Sequence, residues 1–280
     1  FSTSSFWYNT TGQIQPYYHW MNAGLKAGGN LEFIYPGTKY IGHDGEHEAW
    51  PINKNGKNLA FYEQNNFGGP KSYHVFGKYA NFSGAYWHDD KMGMVRYGAH
   101  DGKAGTKIWI WGLSQQGMIW EKLLTDTDGQ YIELQSGRLF NQNSEGSIYT
   151  PFKHRSFEPY TSEKWQELWY PVMETEGMVE ASEYGALNIK QRNGYASVHF
   201  APVQFFNDTL EVTQDGKIIY SRPVAFTPLK TFSDSFRTTG EKHLTARLKI
   251  HQLTFNTDPD YNVLSRPAET IPGFDWNSAY

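Results

Sequence analysis

Residues 131–135 read Tyr-Ile-Glu-Leu-Gln, and this run carries the most suggestive chemistry in the chain. Alternate side chains of a strand share a face. If Ile132 and Leu134 point into a core, Tyr131, Glu133 and Gln135 stand together on the opposite side. A carboxylate flanked by an aromatic and an amide suits a sugar: the polar groups bind or deprotonate hydroxyls, and the ring stacks on the apolar face of the pyranose. Glu133 is therefore a candidate general base, nucleophile or hydroxyl ligand. The plainer alternatives are an exposed strand residue or one half of an ion pair with Arg138. Base chemistry near neutral pH would need burial beside aromatics to raise the carboxyl pKa. Arg138, Asn141 and Gln142 follow and extend the polar surface.

His88-Asp89-Asp90 closes an aromatic run ending in Tyr86-Trp87. An imidazole titrates in the working range, so His88 is the candidate acid partner of Glu133. Asp89 would orient it or serve as the second carboxylate of a glycosidase pair. The alternative is a polar turn capped by aspartate. His43, Asp44, Glu46, His47 and Glu48 crowd one loop. The spacing of His43 and His47 matches helical metal motifs, but the glycines and aspartate argue against a helix. A sugar-binding rim, a cation site and a solvated loop all remain open there, and no metal is assigned. His100-Asp101-Gly102 reads as a turn, with His100 a possible binding residue. Asp126-Thr127-Asp128-Gly129 begins like a calcium loop but lacks the later acidic ligand, so it reads as a hairpin turn. Trp20, Trp50, Trp87, Trp109, Trp111 and Tyr131 are candidate stacking platforms, most of them core residues. His154, His199, His243 and His251 read as structural. No glycine-rich phosphate loop or Ser-His-Asp spacing stands out, and no cofactor is expected.

The elements around these residues read as strands. Ile108 and Ile110 alternate with Trp109 and Trp111, the period of a strand. Leu31–Tyr35, Ser72–Lys78, Phe82–Trp87, Gly93–Tyr97, Phe152–Pro159 and Trp165–Met173 follow suit, as does Phe6–Thr10 near the start. Residues 52–71 read as a long surface loop. Nine of the ten tryptophans precede residue 183. Beyond it the chain becomes short alternating strands, with Asp215-Gly216 an obvious hairpin turn. That pattern suits a small sandwich of about seven strands. No helix of convincing length is expected. Three segments result: 1–183, 184–256, and a tail or linker over 257–280.

Composition sets the outer bounds. The formal net charge of −4 makes nucleic acid an unsuitable partner. Aromatic residues reach 17% while charged residues are only 19%, a mix that suits a turn-rich β protein facing carbohydrate, or simply a large β core. The absence of cysteine excludes disulfides, thiolate zinc sites and cysteine nucleophiles. It favours a bacterial source, with a periplasmic or extracellular location as the expectation. No apolar run approaches the roughly 20 residues of a membrane span. The chain starts at Phe1 rather than Met and enters a strand without a preceding turn signal, so it reads as a trimmed piece of a longer polypeptide.

The elements KIWIWG, WEKLLTDTDGQYIEL and ELWYPV, in this order and spacing, resemble an uncharacterised bacterial domain family related in fold to galactose mutarotase, whose members usually precede tetratricopeptide repeats. YYHWMNAGL, LEFIYP and GAYWHDDKMGMVRYGAHD fit the same pattern, and RPAETIPGFDWNSAY resembles the link before the helical repeats. The resemblance covers most of residues 15–180. It implies an all-β architecture: a galactose-mutarotase-like β-supersandwich binding carbohydrate on its concave face, then a small immunoglobulin-like β-sandwich. It also implies further N-terminal strands and C-terminal helical repeats outside the chain. It carries no catalytic set over. Mutarotases use a histidine acid and a glutamate base, and Glu133 matches that glutamate in kind.

The expectation is a carbohydrate-active protein, a glycoside hydrolase or sugar epimerase. Glu133, His88 and Asp89 would be catalytic, with His43, Trp111, Tyr131, Gln135, Arg138, Trp20, Trp50 and His100 binding substrate. The alternative is a non-catalytic carbohydrate-binding or scaffold module attached to a helical-repeat domain.

Overall fold

The computed structural model describes residues 1–280 except 18, 44, 66–68, 112–114, 126–128, 139–154, 241–242 and 257–280. Asp44, the Asp126–Asp128 turn, Asn141, Gln142, His154 and the tail lie outside the described residues.

The N-terminal part is a sandwich of two antiparallel sheets. Its strands are β1 (Ser2–Tyr8), β2 (Gln15–Tyr17), β3 (Trp20–Lys26), β4 (Leu31–Ile34), β5 (Lys39–Ile41), β6 (His47–Ala49) and β7 (Lys71–Phe76). They continue with β8 (Phe82–Trp87), β9 (Met92–Tyr97), β10 (Gly105–Ile110), β11 (Tyr131–Gly137), β12 (Arg155–Phe157) and β13 (Ser162–Met173). One sheet runs β1-β13-β9-β8-β4 and the other β3-β11-β10-β7-β5-β6, while β12 and β2 form a separate pair. The alternation anticipated from sequence decides what lies between the sheets. Ile108, Ile110, Ile132, Leu134, Tyr73 and Val75 meet Leu31, Phe33, Ala85, Trp87 and Trp169 in one buried cluster. Fully burying side chains of this size stabilises by about 1.5–3 kcal/mol each.

The expectation of no helix is corrected. One α-helix, α1 (Gln115–Leu124), connects β10 to β11. Its apolar residues Met118, Ile119, Leu123 and Leu124 are exposed rather than buried, so the segment has no core-facing stripe that a periodicity reading would detect. The surface loop at 52–71 is also more built than expected. Leu59 is in the core, and Asn65 donates to the carbonyls of Leu59 and Phe61 while accepting from the Tyr73 hydroxyl.

The C-terminal part is a second two-layer sandwich. Its first sheet orders β14 (Glu180–Ser182), β15 (Gly185–Arg192), β16 (Tyr195–Pro202) and β19 (Phe232–Arg237). The second orders β18 (Lys217–Phe226), β17 (Phe206–Gln214), β20 (Leu244–Leu248) and β21 (Leu253–Asn256). The β17–β18 hairpin turns at Asp215 and Gly216, with φ of 51° and 74°, the doubly positive geometry of a type I′ turn. A division at 183/184 would fall between the paired strands β14 and β15, so the break in the fold lies earlier, between Met173 and Glu180. The two sandwiches share a buried seam in which Phe82, Tyr86, Val95, Tyr170 and Val172 meet Met178, Ala181, Ala186 and Ala201.

Candidate functional site

Residues opposite one another in an antiparallel ladder share a face. Registers across β3, β11, β10 and β7 therefore fix what surrounds Glu133. Glu133 pairs with Trp109 on one side and Gly24 on the other. Gln135 pairs with Lys107 and Asn22, and Lys107 in turn with His74. Gly137 pairs with Trp20, and Trp109 with Ser72. With Ile132 and Leu134 in the core, all of these lie on the outer face of the six-stranded sheet, as the period-two reading required. Gly137 is small for a reason visible here: a Cβ at that position would come within 2.6 Å of the Trp20 indole.

Glu133 is half-buried and held by neutral donors. The Gln135 amide donates to its Oε2 at 2.5 Å, and the Trp111 indole N–H donates to its Oε1 at 3.4 Å. Aromatic rings stand around it. Trp111 packs against Trp109 at 5.3 Å, Tyr131 at 6.2 Å and Trp120 of α1 at 5.4 Å. His43, in the β5–β6 turn, meets Trp109 edge-on at 5.2 Å. Burial, with the Glu133 charge adding to it, pushes the Tyr131 hydroxyl up to about 12, so it stays a neutral donor at working pH.

Lys107 lies beneath this aromatic layer, only 2% exposed. Its ammonium sits over the Trp20 ring at 5.0 Å and the Trp109 ring at 5.5 Å, cation–π geometry on both sides. Burial lowers its pKa to about 8, and the attraction of Glu133 opposes that shift. His74 is as deeply buried. Its Nδ1 faces the Ile41 carbonyl at 2.9 Å, so that nitrogen carries the proton and donates. Burial, followed by the nearby Lys107 charge, lowers its pKa to about 3, and the ring is neutral.

Several polar atoms on this face are buried with no hydrogen-bond partner among the described residues: Trp20 Nε1, Trp109 Nε1, Ser72 Oγ and Gln135 Oε1. Such groups are uncommon in folded proteins, and each left unmatched costs about 1–3 kcal/mol. They share the sheet face of Glu133 and comprise two indole donors, a hydroxyl and an amide acceptor.

The structure brings together Glu133, Gln135, Tyr131, Trp111, Trp20 and His43 from the residues singled out in the sequence. It does not bring His88 to them. Glu32 lies on β4 between core residues Leu31 and Phe33, so its side chain leaves the core on the far side of the other sheet. His88 donates through Nε2 to that carboxylate at 2.8 Å. Glu133 and His88 thus occupy opposite outer faces, with two sheets spaced roughly 10 Å apart between them. Asp89 is exposed in the turn beside His88, and its backbone N–H donates to the Gly29 carbonyl. Trp50 is core, its indole N–H donating to the Tyr35 carbonyl at 3.0 Å. Arg138 forms a two-point ion pair with Glu163, through Nε at 2.9 Å and Nη2 at 3.2 Å, rather than with Glu133. His100 lies in the β9–β10 turn against Tyr79, where its backbone N–H donates to Asn81.

Two features escaped the sequence reading. Lys107 and His74 both reach the Glu133 face. Lys107 is two residues before Trp109 on a strand whose alternation was already legible, and a lysine in phase with the tryptophans was the available signal. The second is a buried charge cluster at the end of the sandwich. Glu167 accepts from Arg96 Nε at 2.7 Å, Lys103 Nζ at 2.7 Å and Ser136 Oγ at 2.6 Å. Its members are dispersed along the chain, and nothing local pairs them.

Among solved structures, the chain is similar to a TPR-domain-containing protein from Parabacteroides distasonis, with 22% identity and a TM-score of 0.49. That match covers 61% of this chain and 27% of the other. A candidate aldose 1-epimerase from Klebsiella pneumoniae matches at 9% identity and a TM-score of 0.41, over 62% of this chain and 44% of that one. This chain therefore spans less than half the length of either. At these scores the strand order above, and not the likeness, defines the architecture. Residues 1–172 match the model of a domain of unknown function, DUF5107, and the chain belongs to that family.

Proposed function

We propose that the outer face of the six-stranded sheet binds carbohydrate, with Glu133 and Gln135 engaging hydroxyls and Trp109, Trp111 and Tyr131 supplying the apolar contact. The observation that carries this reading is the set of buried, unmatched polar atoms of Trp20, Trp109, Ser72 and Gln135 around Glu133. Binding without turnover is favoured because His88 is engaged by Glu32 on the other side of the sandwich. A glycan reader at the front of a helical-repeat protein, in the periplasm or outside the cell, fits this arrangement.

The test is calorimetric titration of the chain with a panel of neutral mono- and oligosaccharides. Glu133→Gln keeps the shape of the side chain but makes it part donor. It should weaken binding at least about tenfold, equivalent to about 1.4 kcal/mol, without changing the melting temperature by more than a few degrees. Absence of any saccharide binding, or an unaffected Glu133→Gln variant, would remove the proposal.

A second reading rests on Lys107. Its ammonium, buried beneath the aromatic layer and drawn by the Glu133 carboxylate, pairs a cation with a carboxylate on this face without any histidine. Accelerated interconversion of sugar anomers, followed by NMR and abolished by Lys107→Met, would establish catalysis. No acceleration alongside saturable binding would leave recognition as the function.

A further inference from the structure

A cavity of about 560 Å³ opens where β9 turns toward β10, away from the Glu133 face. Arg96, Gly98, Lys103, Lys164, Trp165 and Glu183 are among its walls. Its volume is within the range of small-molecule pockets. Three cations face one carboxylate, and adding Glu167 beneath still leaves the surroundings positive.

The cations are not all consumed by that carboxylate. Arg96 is bound to Glu167 through Nε, and its Nη2 lies on the side of Gly98, another wall of the cavity. A Cβ at position 98 would come within 2.9 Å of the Gln166 carbonyl and 3.3 Å of Arg96 Nη2, so the close approach of these groups suits glycine there. Lys164 is exposed at the rim. Burial pushes the Glu167 carboxyl up, but Arg96 and Lys103 together outweigh it and hold it below its ordinary value, so it remains an anion and presents no proton to a second one.

Trp165 supplies an independent sign. It is 5% exposed, with Trp7 stacked at 6.2 Å, the His19 ring tilted against it at 5.2 Å and the Lys103 ammonium over the ring at 5.3 Å. Its Nε1–H is buried without a hydrogen-bond partner among the described residues. An indole N–H can only donate. A buried, unmatched donor on a residue that shares the cavity wall with Arg96, Lys103 and Lys164 suits an acceptor bearing negative charge.

We propose that this cavity binds a small organic anion, its carboxylate or phosphate group received by Arg96, Lys164 and the Trp165 indole N–H. This site is separate from the Glu133 face. Calorimetric titration with D-glucuronate and with D-glucose 6-phosphate, against D-glucose as the neutral control, tests it. One of the two anions should bind saturably in the presence of excess glucose, and which one binds tighter assigns carboxylate or phosphate. Lys164→Glu, at an exposed position, should weaken that binding at least about tenfold. Trp165→Phe keeps the ring stack but removes the N–H, and should weaken it several-fold. Melting curves near the parent's would show both variants folded. Glu133→Gln should leave anion binding unchanged. Failure of both anions to bind at millimolar concentration, parent-like binding by the Lys164 and Trp165 variants, or loss of binding in Glu133→Gln would each overturn the assignment.

Discussion

Glu133 and Glu167 stand on different strands of one sandwich and meet opposite fates. Glu167 is 1% exposed and saturated by a guanidinium, an ammonium and a hydroxyl, all within 2.7 Å. Glu133 is half-buried, touched by the Gln135 amide, a distant indole and the Tyr131 hydroxyl, with the Lys107 charge acting on it from beneath. A carboxylate satisfied on every side by its own protein is committed to the fold. One held chiefly by neutral donors, with a single cation acting on it, keeps capacity for a further partner. The contrast separates a carboxylate spent on the fold from one the fold engages only in part.

The largest expected effect breaks the saturated side. Glu167→Gln leaves Arg96 and Lys103 buried without their counter-charge and should cost about 3–5 kcal/mol in urea denaturation. Because the folded Glu167 pKa lies below its unfolded value, its contribution is complete above the unfolded pKa and is lost as pH falls through the acid range. Parent stability should therefore decline below about pH 5, and the variant should show a shallower decline. A parent curve flat down to pH 3 would contradict the arrangement.

Lys107 comes next. Its folded pKa of about 8 lies below the ordinary 10.5, so the unfolded chain binds the extra proton between these values. Stability should rise with pH across that window, by on the order of 3 kcal/mol if the whole shift is expressed. Lys107→Met should abolish the rise, measurable as denaturation midpoints at pH 7 and 10. Arg138→Ala, which breaks the half-buried pair with Glu163, should cost about 1 kcal/mol. The smallest effect sharpens the comparison: Glu133→Gln, which removes one attraction acting on Lys107 but keeps the neutral contacts, should cost less than about 1 kcal/mol while weakening saccharide binding. A stability loss approaching that of Glu167→Gln would place Glu133 among the structural carboxylates.

Much of this was legible where spacing alone decides geometry. The run Ile108–Trp111 and the run Tyr131–Gln135 each assign their own faces by alternation, and the β17–β18 hairpin announces itself through Asp215-Gly216. What was not legible depends on which strands become neighbours. His88 was matched to Glu133 because both are strand-associated and chemically complementary, yet β4 places Glu32 beside it and the sandwich interposes its core. Arg138 likewise finds Glu163, on β13. The helix α1 was missed because its leucines and its isoleucine face outward, so the pattern that marks a buried helix is absent.

The seam between the two sandwiches has a mechanical consequence. Tyr86 and Tyr170 are buried in it, and their hydroxyls also bridge the gap, Tyr86 accepting from the Glu176 amide and Tyr170 donating to the Ser182 carbonyl. Swinging one body against the other would wet those rings and sever those bonds together. The pair therefore behaves as a single strut. The smaller sandwich sits behind the four-residue strand that carries Glu32, on the side of the molecule away from Glu133, where it acts as a fixed spacer and not as a cover. The tryptophan-rich side is thereby held at a constant distance and angle from Asn256, where β21 ends.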